Sequence, residues 1–207
     1  MNRALIVLSG GLSQRFGQDK CLRNLVGKTL VTHVLDRVAT VANEIIVVAG
    51  SATQQSVLFQ AVGQKARVIV DSYGNHSPLI GALTGLENTE ADYALLLPCD
   101  AAFVSRDIAQ LLLDLCEGRS AAIPRWPDGK IEPLQAAYDV KLAREAAQTA
   151  YHEGKRDMIG MIVCLRNIRY ISTLVLRQYD AKLATFFNIN TVEDWRRAEA
   201  VLKRLKR

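Results

Sequence analysis

Much of what this sequence lacks narrows its function before any motif is read. Cysteine is scarce: Cys21, Cys99, Cys116 and Cys164 form no C-x-x-C pair in 207 residues. His76 and His152 have no cysteine or histidine partner at metal-ligand spacing, and His33 sits in a helical run where packing or surface explains it. A zinc site or a disulfide framework is therefore not expected, and all four cysteines read as reduced thiols. No apolar run approaches the roughly 18 residues that span a bilayer. No charged and apolar leader precedes the first strand, so a cytoplasmic protein with no membrane partner is expected. There is no Gly-x-Gly-x-x-Gly and no Gly-Lys-Ser/Thr, which excludes the dinucleotide fingerprint and the P-loop. No serine or cysteine lies in a recognisable nucleophile context, so covalent catalysis is not indicated. Repeats, linkers and low-complexity segments are also missing, and residues 1–207 read as one domain.

The composition that remains, 49% hydrophobic and 23% charged, is that of an ordinary globular chain able to bury a sizeable core. The net charge of +5 owes much to Arg196, Arg197, Lys203, Arg204, Lys206 and Arg207 at the end of the chain. On a helix these form a solvated face, and no aromatic-basic pattern accompanies them, so nucleic acid is not an expected partner. Small phosphorylated substrates suit such a balance equally well.

The informative stretch is Leu8-Ser9-Gly10-Gly11-Leu12-Ser13-Gln14-Arg15-Phe16-Gly17-Gln18-Asp19-Lys20. It follows the apolar run Ala4–Leu8, which reads as a buried strand. Gly10 and Gly11 allow a sharp turn and a close approach of backbone to ligand. The loop amides can then form an anion-binding concavity, with Arg15 and Lys20 neutralising phosphate charge.

Further along, the apolar periodicity alternates between two templates. Helices are expected from Thr29 through Val38, near Thr53–Ala61 and around Leu79–Glu87; strands are expected at Glu44–Ala49, Arg67–Val70 and Tyr93–Leu97. That alternation implies an α/β protein: a three-layer α/β/α, Rossmann-like arrangement on a mostly parallel central sheet. The second half is less regular. It reads as a helix over 105–117 with Ser105 as N-cap, strands at Ala121–Pro124 and Leu134–Tyr138 around a turn, and helices over Lys141–His152 and Asp157–Cys164. A short strand near Ile168–Ile171 follows, then a last helix opened by Asn190 as N-cap with Glu193 completing a capping-box pair.

In parallel sheets ligands bind beyond the carboxyl ends of the strands. Three loops leave those ends, at 9–20, 71–78 and 98–103, which puts Asp71 and Asp100 on the rim of the glycine loop. Asp100, just past an apolar strand, is a hard oxygen ligand suited to Mg2+, or else a turn aspartate. Asp71 either contacts a ribose or base or caps its own turn. Asn190 either caps the last helix or meets a ligand together with Asn188. In-line attack at a phosphorus atom needs positioning and charge stabilisation more than a general base, so Arg15, Lys20 and Asp100 are the catalytic candidates.

These residues carry a resemblance. Leu8-Ser9-Gly10-Gly11-x-Ser13-x-Arg15-Phe16-Gly17-x-Asp19-Lys20 is similar to the Leu-Ala-Gly-Gly-x-Ser-x-Arg-Met-Gly-x-Asp-Lys signature of the molybdenum cofactor guanylyltransferases, nucleotidyltransferases of a GT-A-like fold. Ser77-Pro78-Leu79-Ile80-Gly81, Pro98-Cys99-Asp100 and Asn188-Ile189-Asn190-Thr191 resemble three further segments of that family, in order. The resemblance implies transfer of GMP from GTP to molybdopterin bearing molybdenum, with release of pyrophosphate. It also implies transient contact with molybdoenzyme-maturation proteins. Carried over, Leu8, Ser9, Gly10 and Gly11 meet the nucleotide, Lys20 its phosphates and Asp71 the nucleoside, while Asp100 holds Mg2+. Asn188, Asn190 and Arg156 fall on the acceptor side. Residues 1–104 would thus form the nucleotide- and metal-binding half and 105–207 the acceptor-binding half. The sequence departs from the pattern at Ser9, Phe16 and Ser77, and Val48 stands where some relatives carry a base-reading asparagine. The alternatives are a cytidylyltransferase on molybdopterin, a sugar-phosphate nucleotidyltransferase, or a non-catalytic carrier of the cofactor.

Overall fold

A computed structural model describes residues 1–10, 19–73 and 77–205. Nine strands occur among them: β1 (Arg3–Leu8), β2 (Asn24–Leu25), β3 (Lys28–Thr29), β4 (Glu44–Ala49), β5 (Arg67–Val70), β6 (Tyr93–Pro98), β7 (Ala121–Arg125), β8 (Ala136–Asp139) and β9 (Ile168–Ser172). The helices are α1 (Leu30–Val38), α2 (Ala52–Val62), α3 (Pro78–Glu87), α4 (Arg106–Cys116), α5 (Val140–His152), α6 (Met158–Cys164), α7 (Thr173–Leu176) and α8 (Val192–Leu205). Seven strands form one sheet in the order β5-β4-β1-β6-β8-β7-β9, with β2 and β3 a separate small hairpin. The β5·β4, β4·β1, β1·β6 and β7·β9 pairs are parallel; only β8 runs against its neighbours. The expected mostly parallel three-layer architecture is what forms.

β1 shows why. Its side chains alternate between two apolar cores, as a two-period strand must when both sheet faces are covered. Leu5 and Val7 join α1, α2 and α4 on one face, whereas Ala4, Ile6 and Leu8 join α3, α5 and α6 on the other. Helix α3 lies directly on β1 because Gly85 has no side chain: a Cβ there would stand 2.4 Å from Ile6 Cγ2. A third, smaller cluster packs α8 against the β2–β3 hairpin through Leu25, Leu30, Phe103, Ile189, Ala198 and Leu202. That cluster fixes the last helix beside the loop that follows β6. Cation–π contacts add to it, with Arg23 over Trp195 at 4.5 Å and Arg197 over Phe187 at 5.7 Å, so basic residues of and near α8 help to seat it.

Two local expectations are corrected. The strand expected from Leu134 begins at Ala136, because the backbone N–H of Gln135 turns back to Glu132 O at 3.2 Å and its side chain is committed elsewhere. Nor does Asn190 with Glu193 cap α8. Thr191 Oγ1 accepts from the Asp194 N–H at 3.1 Å, and Asp194 Oδ2 accepts from the N–H groups of Thr191 and Asn190 at 2.9 and 3.1 Å. The reciprocal box is thus Thr191–Asp194, one residue later. Burial works against the Asp194 charge, yet these hydrogen bonds and the nearby Arg197 hold its carboxyl below the usual carboxylate range. The shift of one residue has a consequence: it frees the Asn190 side chain.

Candidate functional site

The carboxyl ends of β1, β4, β5 and β6 lie side by side, and each following loop is tied to its neighbour. Ser9 N–H donates to Val48 O at 2.9 Å, Asp71 N–H to Ala49 O at 2.8 Å and Cys99 N–H to Leu8 O at 3.1 Å. Three loops distant in sequence therefore share one rim, as expected from the parallel order. Gly10 follows β1 by two residues, and a Cβ on it would lie 3.5 Å from Gly50 Cα, an ordinary contact, so the loops after β1 and β4 lie side by side. The nucleotide contact expected of Gly11 and the catalytic role expected of Arg15 lie outside the described residues.

The chain re-enters at Asp19, which caps a short 3-10 turn, Lys20–Leu22, by accepting from the Cys21 N–H at 3.0 Å. Lys20 then reaches across the rim. Its Nζ donates to Asp100 Oδ2 at 2.6 Å and to Asn190 Oδ1 at 2.8 Å, with both charged side chains largely covered, 12% and 14% exposed. Residues from the first loop, the loop after β6 and the start of α8 thus meet at one ammonium group. Asn188 stands behind, its Oδ1 accepting from the Gln135 amide at 3.2 Å; the same amide donates to Thr185 O at 2.7 Å. The buried Gln135, absent from the sequence reading, is what places Asn188.

Asp100 offers one more observation. Its second oxygen, Oδ1, is buried and has no hydrogen-bond partner among the described residues. A buried carboxylate oxygen without a donor is costly, and a hard divalent cation would remove that cost. No cluster of three acidic, histidine or cysteine groups surrounds it among the described residues, so such an ion would draw its other ligands from phosphate oxygens and water. One protein carboxylate, completed by phosphate oxygens and water, is a donor set that Mg2+ tolerates.

The expectation of four reduced thiols is overturned. Cys21 and Cys99 form a disulfide, with Cα atoms 5.6 Å apart and a sequence separation of 78; Cys116 and Cys164 are free. The reason is topological. β1 and β6 are neighbours, so the turn after the glycine loop and the residue before Asp100 arrive together although nothing local signals it. The bond flanks the Lys20–Asp100 pair directly.

Asp71 and Arg156 sit on the same rim but apart from that pair. Asp71 Oδ1 accepts from the Tyr73 N–H at 3.0 Å, the turn-capping alternative. Tyr73 stacks edge-on against Tyr151 at 4.9 Å and donates to the Glu87 carboxylate; burial and that carboxylate push its phenol up to about 12. Arg156 lies over the Tyr151 ring at 4.8 Å and donates to the Tyr151 and Lys155 carbonyls. It is exposed, and among the described residues Tyr151 and Tyr73 link it to the rim. Val48, the suspected base-reading position, is 1% exposed with its side chain against α3, so it cannot meet a nucleobase.

Residues 5–167 match the family described as MobA-like NTP transferase domain. A protein of Methanosarcina mazei named probable molybdenum cofactor guanylyltransferase is 32% identical over 197 residues, covering 93% of this chain and 88% of that protein. One of the same name from Bacillus cereus is 31% identical over 94% of both chains. Among solved structures, molybdopterin-guanine dinucleotide biosynthesis protein A of Archaeoglobus fulgidus superposes with a TM-score of 0.84 at 28% identity, over 97% of this chain and 99% of that one. A 4-diphosphocytidyl-2C-methyl-D-erythritol synthase from Anaerococcus prevotii shares the fold at 14% identity and a TM-score of 0.74, over 98% and 96% of the two chains.

Proposed function

The chain belongs to the MobA-like NTP transferase domain family, and from that premise we propose that it transfers GMP from GTP to molybdopterin bearing molybdenum. It is a nucleotidyltransferase; the substrates are those named by its relatives. A terminal phosphate oxygen of the acceptor attacks the α-phosphorus of GTP, the bond from that phosphorus to the oxygen bridging to the β-phosphate breaks, and pyrophosphate leaves. The attacking oxygen is already anionic, so no general base is required, and the work of the protein is positioning and charge stabilisation.

The observation that carries this reading is the meeting of Lys20, Asp100 and Asn190 at the strand-end rim, with Asp100 Oδ1 unpartnered among the described residues. Asp100 would hold Mg2+, which when bound supplies Lewis-acid stabilisation of charge on the transferring phosphate. Lys20 carries the phosphate charge of the nucleotide and offsets what builds on the departing pyrophosphate. Leu8, Ser9, Gly10 and Gly11 supply backbone to the nucleotide, and Arg15 assists Lys20. Asp71 faces the nucleoside, while Asn188, Asn190 and Arg156 take the acceptor side. Residues 1–104 and 105–207 accordingly act as the two halves of one nucleotidyltransferase unit, placed in the cytoplasm.

Purified protein given Mg2+, molybdopterin bearing molybdenum and each nucleoside triphosphate in turn tests this directly. The expected result is pyrophosphate release that is fastest with GTP. Faster release with CTP would replace guanine by cytosine, the other base the family alternative allows. No release with any of the four would end the transfer reading.

A further inference from the structure

Helix α2 opens with Ser51-Ala52-Thr53-Gln54, a sequence that satisfies the capping-box pattern. Ser51 performs its half, accepting from the Gln54 N–H at 3.1 Å. In that motif the glutamine side chain returns to the N–H of its own N-cap. Here it does not. Gln54 Oε1 accepts instead from the Gly50 N–H, one residue earlier, and its amide nitrogen leaves the helix altogether. Nε2 donates to Ser9 O at 3.0 Å and to Asp19 Oδ2.

Ser9 directly follows β1 and Asp19 opens the turn that carries Lys20, so one amide ties together the two ends of the glycine loop. All of its hydrogen-bonding capacity on that side is spent: two donors, two acceptors, and a backbone N–H on the oxygen. The orientation is fixed by those partners, because a flipped amide would set a donor against the Gly50 N–H and an acceptor against a carbonyl and a carboxylate. Asp19 relays the constraint, its other oxygen accepting from the Cys21 N–H at 3.0 Å, which sets the 3-10 turn from which Lys20 reaches Asp100.

We infer that Gln54 is a positioning residue for nucleotide binding: it fixes the Ser9 carbonyl and the Asp19 carboxylate to the end of β4, and through Asp19 it aims Lys20. It touches neither substrate nor metal and acts through the loop ends alone. The inference rests on the reading that this rim receives nucleotide phosphates.

The experiment measures nucleoside triphosphate binding by titration calorimetry without acceptor, and the nucleotide KM with it, for Gln54→Ala, Gln54→Glu, Asp19→Asn and the double variant Gln54→Glu/Asp19→Asn. Gln54→Glu keeps the size and the bond from Gly50 but loses both donors and faces a carboxylate. Each single variant is expected to weaken nucleotide binding about 10-fold or more, the scale of a hydrogen bond to a charged group, with kcat changed much less. The double variant restores the bond with reversed polarity, since an asparagine amide at 19 can donate to a carboxylate at 54. It is expected to recover at least half of the loss on a logarithmic scale. Gln55→Ala, which removes a bond from the next residue to Val68 O, is the control and should lower stability without moving the nucleotide KM. Unchanged binding in folded Gln54→Ala and Gln54→Glu, or no recovery in the double variant, overturns the inference and leaves the transfer reading intact. Wild-type protein that binds no nucleoside triphosphate overturns both.

Discussion

The two sides of this site are built in different ways. Around Lys20 and Asp100 the protein is fastened: a disulfide, a covered ion pair, an asparagine just ahead of the last helix and the Gln54 amide all converge within a few residues. Around Arg156 it is held by stacking and local bonds: an exposed guanidinium, donating to the neighbouring Tyr151 and Lys155 carbonyls, lies on one tyrosine that rests edge-on against another. The difference follows from where the segments come from. The fastened side joins loops that leave adjacent parallel strands and are forced together by the sheet. The stacked side joins the loop after β5 to the α5–α6 connection, which no ladder hydrogen bonds constrain. A site that must hold reacting phosphates within a few tenths of an ångström belongs on the first side, and an adaptable acceptor contact belongs on the second.

Substitutions on each side test that contrast. Lys20→Met removes the cation from the fastened side and should lower kcat/KM for nucleotide about 100-fold or more, measured by pyrophosphate release. Opening the disulfide comes next. Cys21→Ser, or reduction with dithiothreitol, releases a constraint between residues 78 apart and should cost about 4 kcal/mol on the chain-entropy scale. Urea unfolding of oxidised and reduced protein reads this, and coincident midpoints would show that the fastening is not covalent. On the stacked side, Arg156→Ala should change stability by less than about 1 kcal/mol. It should raise the acceptor KM several-fold while the nucleotide KM stays fixed, a split that would fail if Arg156 served the nucleotide. The smallest effect is expected at Ser9, whose buried hydroxyl has no partner among the described residues. Ser9→Ala should be neutral or stabilising by up to about 1 kcal/mol in the same unfolding measurement.

The same contrast explains what the sequence disclosed. Helices and strands whose apolar period was strong, such as α1 with Leu30, Val31, Val34, Leu35 and Val38, or β4 over Glu44–Ala49, appear where they were expected. So does the shared rim of Gly10, Asp71 and Asp100, because parallel topology alone dictates it. The fastenings were not legible. A disulfide between Cys21 and Cys99 depends on the adjacency of β1 and β6, which no spacing rule encodes. Gln54 reads as an ordinary first-turn residue of a surface helix, and its distance to Ser9 and Asp19 reveals its use. The cap of α8 was misplaced by one residue since Asn190–Glu193 and Thr191–Asp194 both suit the pattern; the hydrogen bonds choose the second. Arg15 and Gly11, on which the motif argument leaned, fall outside the described residues.

Asp100 is proposed as the metal-holding carboxylate of the nucleotidyl-transfer site. Calorimetric titration of Mn2+ into protein saturated with GTP, for wild type and Asp100→Asn, tests it most directly, with thermal unfolding to show that the variant is folded. The expected result is one metal-dependent binding event in the wild type that is lost or weakened at least 100-fold in Asp100→Asn, with GTP itself still bound. Equal Mn2+ affinity in the two proteins would contradict it.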